Sequence, residues 1–157
     1  MPFFDWLQST PLAQWVSQSE SIWAYPTILM LHTVGLALLV GANVAIDLRL
    51  LGVAAKVPLR ELKILFRPFW AGLVINAITG VLLFIADAVR KSGQITFMLK
   101  LSFIFVGVGV FLLLRPIVLA TEDSKGIGHP RARLLAMVSL FLWAAAITAG
   151  RLMAYIK

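Results

Sequence analysis

Long runs without charged residues alternate along the chain with short basic segments. The charge-free runs lie between Glu20 and Asp47, Arg67 and Asp87, Lys100 and Arg115, and Arg133 and Arg151. A helix that crosses a bilayer core about 30 Å thick needs roughly 20 residues. The third run is shorter, so its span must include Lys100 and Arg115, whose side chains then reach the membrane surface or bind partners. The pattern predicts an all-α fold: one domain, 1–157, forming a four-helix transmembrane bundle with spans at about 22–46, 68–87, 96–120 and 132–154.

The N-terminal segment is apolar but interrupted by polar residues, as in an amphipathic helix. Thr10 followed by Pro11 is a typical helix start, and Leu12, Trp15 and Val16 then share one face. Aromatic residues are enriched where membrane meets water. We therefore predict an N-terminal interfacial helix at about residues 3–20, lying on the outer membrane surface.

Composition supports a membrane protein and excludes several functions. Hydrophobic residues make up 61% of the chain and charged residues 13%, and the mean hydropathy is +0.93. The absence of cysteine excludes disulfides, thiolate metal sites and iron–sulfur clusters. The net charge of +7 comes from basic residues beside apolar segments, so we expect no nucleic-acid binding. No hydrolase or transferase motif is present, and any enzymatic role would be electron transfer.

Basic residues also indicate the topology. The segments 47–67 and 115–133 contain five and four Lys and Arg residues, whereas 87–100 and the C-terminus contain three and two. By the positive-inside rule, the nine-cation side faces the cytoplasm. Both termini are therefore expected outside.

Polar residues within the spans share faces that cannot all contact lipid. His32 lies on one helical face with Asn43 and, more loosely, Gly35 and Asp47, while the second span carries Asn76 between glycines. His32 and Asn76 each lie about nine residues, roughly 14 Å, from opposite membrane surfaces. We therefore predict that they lie level in the bundle interior, linked directly or through water or a ligand.

Charged residues at the two membrane faces suggest ion pairs. Matching depths predict an Asp47–Arg115 pair on the cytoplasmic side and an Asp87–Arg151 pair outside. Each pair would fix helix register; Arg115 or Arg151 could alternatively bind an anionic group.

A histidine in mid-span has three common uses: a haem or metal ligand, a proton relay, or a polar contact between helices. Gly35, one turn after His32, leaves room for a flat macrocycle, and Trp143 could wall such a pocket. A low-spin haem b needs a second axial ligand, and His129, in a cytoplasmic loop, is too far from His32. This leaves a single-histidine site, a methionine as second ligand, or His32 of a second protomer.

Three segments resemble a family of small four-span bacterial inner-membrane proteins of unknown function, itself loosely similar to copper-resistance-D-type proteins and b-type membrane cytochromes. They are WAYPTILMLHTVGLALLVGANVAIDLRLLG, RPFWAGLVINAITGVLLFIADAV and SLFLWAAAITAGRLMAYIK. The matching positions are His32, Gly35, Gly41, Asp47, Arg49, Gly72, Gly80, Trp143, Gly150 and Arg151. Some members carry a histidine late in the third span, where this chain has Arg115, which weakens a shared bis-histidine haem scheme. The resemblance implies the fold and a bacterial inner-membrane location.

The preferred interpretation is a redox-linked subunit of a membrane complex or homo-oligomer, in which His32 binds haem b or hydrogen-bonds a quinone. The alternative is a non-catalytic scaffold or accessory subunit whose polar groups only fix helix packing. A copper or proton conduit is a third hypothesis.

Overall fold

The computed structural model of the protein describes residues 2–53, 55–120, 130–153 and 155. It is 85% helical, and the described residues form no strand. The helices are α1 (Pro2–Gln8), α2 (Pro11–Gln18), α3 (Tyr25–Leu50), α4 (Phe66–Ile85), α5 (Ala88–Ser92), α6 (Ile95–Ala120) and α7 (Pro130–Leu152), with a 3-10 helix at Leu59–Leu65 before α4.

Four of these helical segments are long and apolar enough to cross a membrane. They are Tyr25–Leu50, Leu59–Ile85, Ile95–Ala120 and Pro130–Leu152. The predicted all-α class with four candidate spans is thus confirmed. The observed boundaries lie close to the predicted ones, but α3 continues to Leu50 and the second segment begins earlier, with the 3-10 turns at Leu59.

The N-terminal segment forms two short helices where one was predicted. The break falls at Thr10, whose hydroxyl caps α2 by accepting from the backbone N–H of Ala13 (3.4 Å). Pro11 lacks an N–H, so it suits the first position of a new helix and cannot continue an old one. The Thr-Pro pair thus divides the predicted helix, and of the predicted apolar face Leu12 and Trp15 are exposed while Val16 is buried.

Contacts between Cα atoms divide the chain into two compact units. The first unit comprises Met1–Leu39 and Trp70–Ile95, and the second comprises Val40–Phe69 and Thr96–Lys157. In the first unit, Val16 of α2 packs in an apolar cluster with Ile28, Leu83 and Ala86. Of the two short helices, α2 therefore buries an apolar side chain within its own unit, whereas α1 buries none.

The second unit buries aromatic and small residues. The rings of Phe69 and Phe111 stack with centroids 3.5 Å apart. Trp143 of α7 is 1% exposed and lies against α6 at Gly107, where an added Cβ would approach the indole to 3.3 Å. A glycine at that point lets the two helices accommodate the largest side chain of this core.

Candidate functional site

His32 is the centre of a polar cluster in the first unit. Its ring Nδ1 lies 2.9 Å from the hydroxyl oxygen of Thr79 on α4. The Thr79 hydroxyl donates its single proton to the carbonyl of Ile75, 2.6 Å away. With that proton directed at Ile75, Thr79 would accept from His32, an arrangement that places the proton of a neutral imidazole on Nδ1.

Asn76 joins this cluster through the backbone. Its amide Nδ2 donates to the carbonyl oxygen of His32 at 2.8 Å, and the side chain is 7% exposed. The prediction that His32 and Asn76 lie level and close is confirmed, and the link is direct. Since Asn76 and Thr79 are three residues apart on α4, both reach the same turn of α3.

Glycines bring the two helices of the His32 cluster together. An added Cβ at Gly35 would lie 2.9 Å from Ile75 Cγ2 and 3.0 Å from the backbone nitrogen of Asn76. One at Gly80 would lie 3.3 Å from Cε1 of His32. The space at Gly35, expected to accommodate a macrocycle, is thus filled by α4, and Gly35 acts in helix packing.

A second polar cluster lies in the second unit, around Asp47. The Asn43 amide Nδ2 donates to Asp47 Oδ2 (2.6 Å) and to the Ser139 hydroxyl oxygen (2.7 Å). All three side chains are 0% exposed. Asn43 and Asp47 are one helical turn apart on α3, so the i,i+4 spacing places both on the face that meets α7.

The predicted Asp47–Arg115 pair is wrong. Arg115 is exposed, whereas the fully buried Asp47 carboxylate is bound by the neutral amide of Asn43. Arg115 lies within α6 immediately before Pro116. Matching depth does not ensure pairing, because the two side chains must also point towards each other around their helix axes.

Arg49 is buried at the end of α3, a placement that the sequence did not indicate. The side chain is 1% exposed, and its Nε donates to the backbone carbonyl of Val57 at 2.5 Å. Its two terminal nitrogens have no hydrogen-bond partner among the described residues. Arg49 thus holds the segment after α3 against the helix end.

Of the other predicted charged residues, Asp87 is partly exposed and Arg151 is exposed. Asp87 pairs with Arg90 on the next turn, with 2.5 Å between Oδ2 and Nη2. This hydrogen bond and the charge of Asp87 raise the pKa of Arg90, so the guanidinium stays ionised. Arg151 is exposed, and its guanidinium lies 5.8 Å from the ring centroid of Tyr155.

Trp143, predicted to wall a haem pocket, packs on Gly107 in the second unit. Its indole Nε1 is buried without a hydrogen-bond partner among the described residues. His129 lies outside the described residues. Within them, no group of three or more His, Cys, Asp or Glu side chains could hold a metal ion.

Thr79 is the functional residue that the sequence reasoning missed. The sequence did contain a signal for Thr79, because a residue three positions after Asn76 lies on the same helical face. Threonine is, however, common in membrane helices as a donor to its own helix backbone, and that use gives no sign of a partner across the interface.

The helices and their buried polar clusters define the class: an integral membrane protein with four candidate spans. The chain belongs to a family of unknown function, DUF6644, whose model matches residues 3–156. No match was found among curated proteins or among solved structures.

Proposed function

We propose that the protein is a redox-linked membrane subunit in which His32 binds a lipid-soluble cofactor, with a quinone as the preferred ligand. The observation that carries the proposal is the contact between His32 Nδ1 and the Thr79 hydroxyl, 2.9 Å apart, which orients an ionisable ring within a candidate span. An imidazole that is oriented through Nδ1 has the hydrogen-bonding chemistry that a quinone or quinol requires of a protein partner. A histidine held by its other nitrogen is also the usual arrangement of a metal ligand.

The residues present fit haem b less well than a quinone. A low-spin haem needs two axial ligands, and the described part of the chain offers no second histidine. The glycine that would admit the macrocycle contacts α4. A quinone needs only hydrogen-bond partners and an apolar surface, and the exposed faces of α3 and α4 are apolar.

The experiment is purification in a mild detergent, followed by organic extraction with quantification of quinone, and by an absorption spectrum. The variant is His32→Ala, and the matched control is Thr33→Ala, since Thr33 is exposed and bonds only the carbonyl of Leu29 in its own helix. We expect quinone in the wild type and in the control and its loss from His32→Ala. Equal quinone content in all three would contradict the quinone role. A Soret band that is present in the wild type and absent from His32→Ala would show that the ligand is haem and not a quinone.

The second candidate is a scaffold or accessory subunit, supported by the Asn76–His32 backbone contact and the glycines of the same interface. This role requires neither pigment nor quinone. It predicts that His32→Ala leaves the protein folded and associated with the same partners. The mass of the detergent-solubilised particle distinguishes a monomer from the proposed homo-oligomer or larger complex.

We also propose a bacterial inner-membrane location with both termini outside. The support is the nine-to-five distribution of basic residues described above. In this orientation the exposed side chain of Arg115 lies at the cytoplasmic surface and that of Arg151 at the outer surface. Each is then placed to contact an anionic group of a lipid or partner subunit.

A further inference from the structure

We propose that Asn43, Asp47 and Ser139 form a binding site for a monovalent metal cation such as Na⁺. The site lies in the second unit and is independent of His32. Its foundation is the Asp47 carboxylate, which is 0% exposed within an apolar helix and accepts from Asn43, whose amide also donates to Ser139. Asn43 and Ser139 are themselves 0% exposed and uncharged.

The charge of this carboxylate is not balanced by a neighbouring cation. No ion pair joins Asp47 to a Lys or Arg among the described residues. Arg49 is the nearest basic residue in sequence, but residues two apart on a helix do not face each other. Its Nε is occupied by the Val57 carbonyl. A buried charge without a partner is strongly disfavoured, so this carboxyl group either takes up a proton or binds a positive ion.

The hydrogen bonds of the cluster leave oxygen atoms for that ion. Asn43 Nδ2 makes two donor contacts, to Asp47 and to Ser139. Asn43 Oδ1 and Asp47 Oδ1 are both buried and have no hydrogen-bond partner among the described residues. Each such atom in a folded protein calls for an explanation, of which a bound ion is one. These two unpartnered acceptor oxygens suit a hard cation.

The charge of the site selects a monovalent ion. One carboxylate, one amide and one hydroxyl carry a total charge of −1, which a single positive charge neutralises. Calcium sites gather six to eight oxygen ligands, commonly from several carboxylates, and Mg²⁺ keeps several waters. No second acidic residue contributes among the described residues of this cluster.

The test is thermal unfolding of the full-length protein in detergent, with NaCl replacing choline chloride at constant ionic strength. A ligand that binds only the folded state raises the melting temperature as its concentration exceeds Kd. At about a hundredfold excess we expect a rise of roughly 5–10 °C in the wild type. Asp47→Asn should abolish this rise. Asp87→Asn is the matched control, because Asp87 is a partly exposed carboxylate already paired with Arg90.

A second variant keeps the test decisive if Asp47→Asn does not fold. Ser139→Ala removes one proposed ligand oxygen and should raise the half-saturating Na⁺ concentration about tenfold. K⁺ acting like Na⁺, with choline inactive, supports a monovalent-cation site. Identical melting temperatures of the wild type in Na⁺, K⁺ and choline would overturn the proposal, as would an undiminished Na⁺ response in Asp47→Asn. Loss of quinone from His32→Ala bears on neither outcome.

Discussion

Gly72 contacts Gly35 so closely that a Cβ atom at Gly72 would lie 2.6 Å from the carbonyl oxygen of Gly35. The same Cβ would lie 2.5 Å from the backbone nitrogen of Leu39. Both neighbours are backbone atoms and cannot rotate away. This approach of α3 and α4 within the first unit sets the distance across which Asn76 and Thr79 reach His32.

Gly72→Ala is therefore expected to destabilise the protein by about 1–3 kcal/mol, because the helices must separate to admit the methyl group. The matched control is Gly41→Ala, since nothing lies within 4 Å of a Cβ added at Gly41. Alanine favours a helix over glycine, so the control should be neutral or stabilising by up to about 1 kcal/mol. Reversible unfolding in mixed micelles measures both. A Gly72→Ala protein as stable as Gly41→Ala would refute the close contact.

The tautomer of His32 is testable by substitution of Thr79. Thr79→Val removes the acceptor with little change of shape, whereas Thr79→Ser retains the hydroxyl. Nitrogen-15 chemical shifts of the imidazole should show the proton on Nδ1 in the wild type and in Thr79→Ser, and a mixture of tautomers in Thr79→Val. A wild-type ring that is protonated on Nε2 in its neutral form would contradict the proposed arrangement, in which Thr79 accepts from His32 and donates to Ile75.

Asn76 stabilises the same interface by its bond to the His32 carbonyl. Hydrogen bonds between membrane helices contribute on average about 0.6 kcal/mol and at most about 1.7. Asn76→Ala should therefore lower the free energy of unfolding by about 1 kcal/mol and shift the His32 backbone carbonyl resonance. Ile78→Ala on the same helix is the control, because Ile78 is 59% exposed and should leave that resonance unchanged. An unshifted resonance in Asn76→Ala would show that the contact does not form.

The Asp87–Arg90 pair should contribute little to stability. Its side chains are 31% and 56% exposed, and exposed ion pairs contribute about 0–1 kcal/mol. The pKa of Arg90 is raised, so its contribution to stability is present while the guanidinium is ionised and is lost as pH rises through the arginine range. Asp87→Asn should thus lower stability by less than about 1 kcal/mol, and by less still in high salt. A larger or salt-independent loss would contradict this assignment.

The sequence could predict the spans and the depth of polar residues, but not which side chains meet. Charge-free length is a property of one segment, and distance from its ends fixes depth; both were sufficient to predict the His32–Asn76 contact. The partner of Asp47 depends also on rotation about the helix axes. There, Asn43 on the same helix satisfies the carboxylate, and Arg115 is exposed. Depth alone could not distinguish these partners.

The proposed orientation can be tested with single cysteines, because the chain has none of its own. Serines outside the candidate spans can be replaced singly: Ser9→Cys near the N-terminus and Ser92→Cys at the end of α5 are both expected on the outer side. An added cysteine at Lys56 reports the opposite side. A membrane-impermeant maleimide applied to intact cells should label the first two, and Lys56→Cys only after the membrane is opened. Two observations support this outcome: the segment 47–67 contains five basic residues, and α1 and α5 contact each other through Gln8, which accepts from the backbone N–H of Val89. Labelling of Ser9→Cys and Ser92→Cys on opposite sides would contradict both that contact and the topology. Labelling of Lys56→Cys alone in intact cells would show that the orientation is the reverse of the proposed one, with the fold unchanged.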